Sequence, residues 1–127
     1  MGLFSDEIYT VATSYEGRHI PYGTGRGQID CSHFVQAILE KATHREFDYI
    51  QANAYPNSGH FQQVDKPDRG DIVFWHETPH GHVGIVLDPH VGEFIGSQST
   101  HGVGTDHYTS HYWRNHGGGP KFLRYVG

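Results

Sequence analysis

Apolar residues in the first third of the chain recur at helical spacing. Phe34, Val35, Ile38, Leu39 and Ala42 form a stripe at i, i+1, i+4, i+5 and i+8, the mark of an amphipathic helix, which is predicted to run from Cys31 to about Thr43. Asp30 precedes it as an N-cap whose carboxylate can take a free backbone N–H, and the glycine-rich stretch from Gly23 to Gly27 cannot easily continue a helix. A shorter helix is predicted from Ser5, where Asp6 and Glu7 follow a capping residue and Ile8, Val11, Ala12 and Tyr15 share one face to about residue 16. Gly17 ends it, and residues 18–29, rich in glycine and containing Pro21, read as a loop. From Phe47 to Val64 the chain is polar and broken by Pro56 and Gly59, with only a helical turn predicted, near Asp48 to Ala54.

Further on, the period changes. Ile72-Val73-Phe74-Trp75, His82 to Leu87, Val91 to Ser97 and Lys121 to Val126 are short β-branched and aromatic runs separated by turn residues, and so predicted strands. The first three read as consecutive antiparallel strands of a meander. Helices first and strands after, without alternation, define an α+β class.

With 127 residues and 35% apolar content, the chain suits one domain, expected over residues 1–127, with its own core. The apolar runs are only a few residues long, so no membrane span is expected, and the N-terminus lacks a basic-then-apolar leader. A formal net charge of −5 with scattered Lys and Arg argues against nucleic acid as a partner. No internal repeat is visible. Twelve histidines and seventeen glycines stand out.

The single cysteine has no partner for a disulfide within the chain, which leaves Cys31 as a buried filler, a metal ligand or a nucleophile. Its place in the first turn of a helix exposes the thiol to unpaired N–H groups and the positive end of the dipole, an arrangement expected to favour thiolate. A thiolate nucleophile needs a base within hydrogen-bond reach. Among the histidines His82 is most closely tied to a predicted element, opening a strand after Pro79-His80-Gly81; His76 and His80 are the nearest rivals.

Four segments taken in order carry a resemblance: Tyr22 in a Pro-Tyr-Gly loop, Asp30-Cys31-Ser32-His33-Phe34-Val35, Arg69 to Trp75, and Gly81-His82-Val83-Gly84-Ile85-Val86. Together they resemble the NlpC/P60 family of cysteine peptidases, from about residue 17 to the C-terminal strand. The resemblance implies a papain-like fold with a nucleophile helix packed on a central antiparallel sheet, and cleavage of peptide bonds in bacterial peptidoglycan stem peptides, with the D-glutamyl to diaminopimelate linkage favoured. By position it makes Cys31 the nucleophile and His82 the general base. It sets Asp30 and Ser32 where the family often binds a free substrate amine, and Tyr22 beside the thiol. Acyl-transfer chemistry then needs no cofactor and no metal: the thiolate attacks the amide carbon, helix-start N–H groups and Tyr22 support the oxyanion, and His82 protonates the leaving amine.

Three features depart from the family pattern. The stretch between Tyr22 and Cys31 is short, and His33 replaces the usual glycine after Cys-Ser. The polar residue that orients the base, often histidine, would fall on Gly96, which has no side chain. By strand parity Gln98 points to the same side and its amide oxygen could accept from the imidazole; a backbone carbonyl near Ile95 or Gly96 is the alternative.

The competing classes are a histidine-rich metal site drawing on His76, His80, His82, His90 and Cys31, and a non-catalytic cell-wall binding module. Against metal, the chain has neither a Cys-x-x-Cys pair nor a His-Glu-x-x-His helix. The Arg69-Gly70-Asp71 triplet is expected to be a turn rather than an adhesion signal. A lone catalytic domain without a signal sequence would be a monomer made in the cytoplasm and carried to the periplasm or cell wall by a secretion system or phage, as a bacteriolytic toxin or a lysin, or else a fragment of a longer protein. A toxin would imply a cognate inhibitor, an immunity protein, capping the Cys31 cleft.

Overall fold

The computed structural model describes residues 4–77 and 80–127; Pro79, in the turn read ahead of His82, lies outside the described residues. Helix α1 spans Ser5–Thr13 and buries Ile8 and Ala12. It stops short of residue 16 because the chain tightens at its end: Ser14 N–H bonds Val11 O and Glu16 N–H bonds Thr13 O, both at 3.1 Å, before Gly17 turns the chain away. Helix α2 spans Cys31–Thr43, with Asp30 as its N-cap accepting the His33 N–H at 2.9 Å. Its stripe of Phe34, Val35, Ile38, Leu39 and Ala42 is buried, each large side chain contributing about 1.5–3 kcal/mol by leaving water.

Six strands form one sheet: β1 (Phe61–Val64), β2 (Ile72–Trp75), β3 (His82–Asp88), β4 (Glu93–Gln98), β5 (Gly102–His107) and β6 (Lys121–Tyr125), in the order β1-β6-β2-β3-β4-β5. Every pairing is antiparallel. The predicted meander is β2-β3-β4, and β6 returns to lie between β1 and β2. Alternate residues divide between two cores. Ile72, Phe74, Val83, Ile85, Ile95 and Leu123 join α1 and α2 in the larger one, whereas Val73, Trp75, Val86 and Phe94 join Tyr108 and Trp113 in a second cluster on the opposite face. Burial on both faces explains why β2 and β3 read as unbroken apolar runs rather than alternating ones.

Four elements were not expected from the sequence: β1, β5, the short helix α3 (His111–Asn115) and a 3-10 turn at His116–Gly118. The turn expected at Asp48 to Ala54 is a 3-10 helix at Ala52–Asn57, displaced because Ala52 and Tyr55, not the residues before them, are the buried ones. The Arg69-Gly70-Asp71 triplet is a turn: Asp71 N–H bonds Asp68 O at 3.1 Å, and the Asp71 carboxylate is buried against Arg124. No helix among the described residues is long and apolar enough to cross a membrane.

Candidate active site

The loop ahead of α2 packs Ile20 and Ile29 against the larger core and is fixed further by backbone contacts. Ile29 N–H bonds Pro21 O at 3.0 Å, Tyr22 and Ile29 form an isolated bridge, and Val103 N–H bonds Ile20 O at 2.9 Å. From β4, the buried Ser97 hydroxyl donates to Ile29 O at 2.7 Å. These bonds hold Asp30 and Cys31 against the sheet. Cys31 is 6% exposed, and its thiol is met by the backbone N–H groups of Val83, Ser32 and Cys31 itself. Val83 is the residue after His82, so the thiol lies at the start of β3.

The expectation of a lowered thiol pKa is corrected here. Burial pushes the Cys31 thiol up; the Val83 N–H pulls it down, Asp30 raises it through its negative charge, and the Ser32 and Cys31 amides lower it, with a net upward shift. A helix start favours thiolate only where the sulfur keeps enough solvent or positive charge to offset desolvation.

His82 opens β3 and is 9% exposed. The preceding Gly81 has φ +76°, and a Cβ there would collide with the Asn53 side chain, so glycine is required. Asn53 in turn donates to Glu77 O at 2.9 Å, tying the 3-10 helix to the segment ahead of the histidine. His82 Nε2 faces Gln98 Oε1 at 3.2 Å, while Gln98 Nε2 donates to Gly104 O at 3.0 Å. Because the amide nitrogen is committed to a carbonyl, the amide oxygen must face the ring and His82 Nε2 must carry the proton, leaving Nδ1 with the lone pair. Burial drives the His82 pKa down to about 4; the Gln98 bond partly opposes this, and His116 adds to it. The imidazole is therefore neutral at pH 7.

Gly96 and Gln98 depend on each other. A Cβ at Gly96 would lie 2.7 Å from Gln98 Oε1, so the missing side chain leaves the space through which Gln98 reaches the ring. A Gly96→Ala variant is expected to displace the Gln98 amide, leave the buried His82 N–H unpaired, and lose about 1–3 kcal/mol of stability, measured by urea unfolding. In a Gln98→Ala background, Gly96→His is expected to restore part of the loss, and no recovery would argue that the space cannot serve a side chain from either position.

The other predicted residues gather around the helix start. Tyr22, partly exposed, has its phenol pKa raised by burial and by facing Cys31, Asp30 and Tyr49, so it stays a neutral O–H donor. Asp30 Oδ1 is engaged by His33 N–H, by His33 Nδ1 at 2.7 Å and by the Ser32 hydroxyl at 3.3 Å. The Ser32 hydroxyl also meets Tyr49 OH at 2.5 Å, and Tyr49 stacks on His33 at 4.2 Å. Sequence reasoning missed Tyr49, which lies in a segment without periodicity, and Trp113, whose ring stacks on His82. A cleft of about 470 Å³ opens over His82 and Gln98, walled by Tyr22, Asp106, Tyr112 and Trp113.

The rival metal site is not assembled. His82 opens β3 and His90 lies in the turn beyond its far end, so the strand separates them by roughly 20 Å at about 3.3 Å per residue, and among the described residues no three His, Cys, Asp or Glu side chains are grouped to hold an ion.

A helix that begins at a cysteine and packs across an antiparallel sheet is the papain-like arrangement. Within that class the chain belongs to the NlpC/P60 family, whose sequence profile matches residues 17–119. The fold is shared with the NlpC/p60 domain of the peptidoglycan hydrolase SagA (22% identity, TM-score 0.68, covering 96% of this chain and 98% of that one). It is shared also with an NlpC/P60 family protein from Bacillus cereus (20% identity, TM-score 0.72, 97% of this chain and 40% of that one). NlpC2 from Trichomonas vaginalis is a third (19% identity, TM-score 0.69, 99% of this chain and 48% of that one). The chain thus spans less than half the length of the last two. No curated protein matches it.

Proposed function

We propose that the protein is a cysteine peptidase that hydrolyses peptide bonds in peptidoglycan stem peptides, with Cys31 as nucleophile and His82 as base. The observation that carries this reading is the Cys31 thiol bonded by the N–H of Val83, the residue that follows His82, whose own Nε2 is committed to Gln98. His82 Nδ1 takes the thiol proton as sulfur attacks the amide carbon, forming the C–S bond. The oxyanion is met by N–H groups at the start of α2 and by the Tyr22 O–H, which stays protonated. His82 then returns the proton to the leaving amine as the C–N bond breaks; water, deprotonated by the same nitrogen, attacks the acyl carbon, and the C–S bond breaks as that proton passes back to sulfur, releasing the acid and restoring the thiol. Membership of the NlpC/P60 family and the fold shared with a domain of a named peptidoglycan hydrolase support the substrate class. Within that class the D-glutamyl to diaminopimelate bond is the one proposed.

The test is mass spectrometry of soluble peptidoglycan fragments incubated with the protein and with Cys31→Ala, each with and without a chelator. New peptide ends that require Cys31 and survive the chelator are expected, and their masses name the bond. Cleavage by Cys31→Ala, or loss of cleavage on chelation, would overturn the thiol mechanism.

A further inference from the structure

We propose that Trp113 is a positioning residue for the His82 imidazole and that Asp106 holds it in that position. This rests on the reading of His82 as the base. The two rings are nearly parallel, 19° apart with centroids at 4.9 Å, so the indole covers one face of the imidazole.

The indole is itself fixed from several sides. Its Nε1–H donates to Asp106 Oδ2 at 2.8 Å, and the Trp113 carbonyl accepts Trp75 Nε1–H at 2.8 Å. Ser110 caps α3 by accepting the Trp113 N–H at 3.4 Å. Phe94 meets the indole edge-on at 5.5 Å, and Trp75 lies tilted against both the indole and the imidazole. A core tryptophan needs one partner for its N–H; here that partner is a carboxylate on β5, two residues beyond Gly104, whose carbonyl holds the Gln98 amide.

One edge strand therefore anchors both restraints on the imidazole. Through Gln98 it fixes the edge of the ring, and through Asp106 and Trp113 it fixes the face. A hydrogen bond at Nε2 alone leaves the ring free to rock about that bond, and a stacked plane removes that freedom. The same plane excludes water from the ring, which keeps it uncharged and ready to accept a proton. The other titratable groups lining the cleft around the imidazole are His116 and Glu77, which pair with each other, and His80, His101, Tyr22 and Tyr112.

The experiment compares Trp113→Leu, Trp113→Phe, Asp106→Ala and Asp106→Asn with the unaltered protein. Steady-state kinetics are measured on a peptidoglycan fragment, and the His82 titration is followed by NMR without substrate, its resonance identified by its absence in His82→Gln. Trp113→Leu is expected to lower kcat 10- to 100-fold with KM changed less than threefold, and to move the His82 titration up by at least one pH unit from about 4. Asp106→Ala should show the same changes in smaller measure. Asp106→Asn, whose carboxamide oxygen still accepts the indole N–H, should restore them. Should Trp113→Leu fail to fold, Trp113→Phe and Asp106→Ala carry the test. A His82 titration that stays put, or a kcat loss that follows melting temperature equally in Asp106→Ala and Asp106→Asn, would leave Trp113 a core residue and overturn the proposal. The titration needs no turnover, so its result is separable from whether the protein cleaves peptides.

Discussion

A His82→Ala variant is expected to lose about 10³-fold in kcat/KM, within the range for removal of a positioned acid and base, because neither proton transfer has another carrier at that place. The pH profile follows from the two shifted groups. Burial pushes the Cys31 thiol above its ordinary 9.0 and drives His82 from 6.5 down to about 4, so the resting pair is an uncharged thiol and an uncharged imidazole. Activity should persist on the acid side and fall only as the pH drops through about 4, where His82 takes a proton. Iodoacetamide alkylation of Cys31, measured from pH 4 to 10, should rise continuously toward the thiol ionisation. A flat rate from pH 5 upward would reveal a stored thiolate–imidazolium pair and overturn the neutral resting state. Folding is linked to the same titration. The unfolded histidine binds its proton near 6.5 and the folded one only near 4, so stability declines as the pH falls between those values, by up to about 3 kcal/mol. Urea unfolding at several pH values should show that decline in the unaltered protein and lack it in His82→Ala.

The parts of this site that the sequence makes legible rest on local rules. Cys31 to Thr43 reads as a helix because its stripe, its N-cap and the glycines before it agree. Gln98 is found by strand parity, since Gly96 and Gln98 face the same way on β4. What escapes depends on tertiary structure. Strand β5 contains two glycines and an aspartate, residues poor in strands, and it is ordered by pairing along the whole of β4. Strand β1 is an edge strand of four residues with two exposed glutamines. Helix α3 is too short to show periodicity, yet it carries the indole that covers His82. The direction of the Cys31 shift escapes for the same reason: the helix terminus can be read from sequence, whereas the depth of burial is set by Val83 and the sheet beneath it.

Arg124→Ala is expected to cost about 3 kcal/mol of stability, the loss that follows when a buried polar group is left without its partner; Asp71 is the buried member of the pair, and Arg124 is partly exposed. Asp71 is fully buried and takes Arg124 Nε at 3.0 Å on one oxygen and the guanidinium NH2 at 2.8 Å on the other. Without the guanidinium, a carboxylate would remain in the interior with the Asp68 N–H, at 2.7 Å, still donating to it. Arg124→Lys should recover little, because an ammonium cannot reproduce the two-pronged contact. Combining Arg124→Leu with Asp71→Leu should recover more, because it removes the buried carboxylate together with its partner. Urea unfolding measures all three. The pair lies at the end of β2 and β3 remote from His82, where Gly70 N–H bonds Val86 O and Val86 N–H bonds Asp71 O, both at 2.8 Å. It therefore clamps the sheet without touching the cleft, and kcat per folded molecule should be unchanged in Arg124→Ala well below its melting temperature. A fall in kcat there would mean that the far end of β3 sets the His82 geometry, and a stability loss below 1 kcal/mol would mean that water reaches Asp71 when the guanidinium is removed.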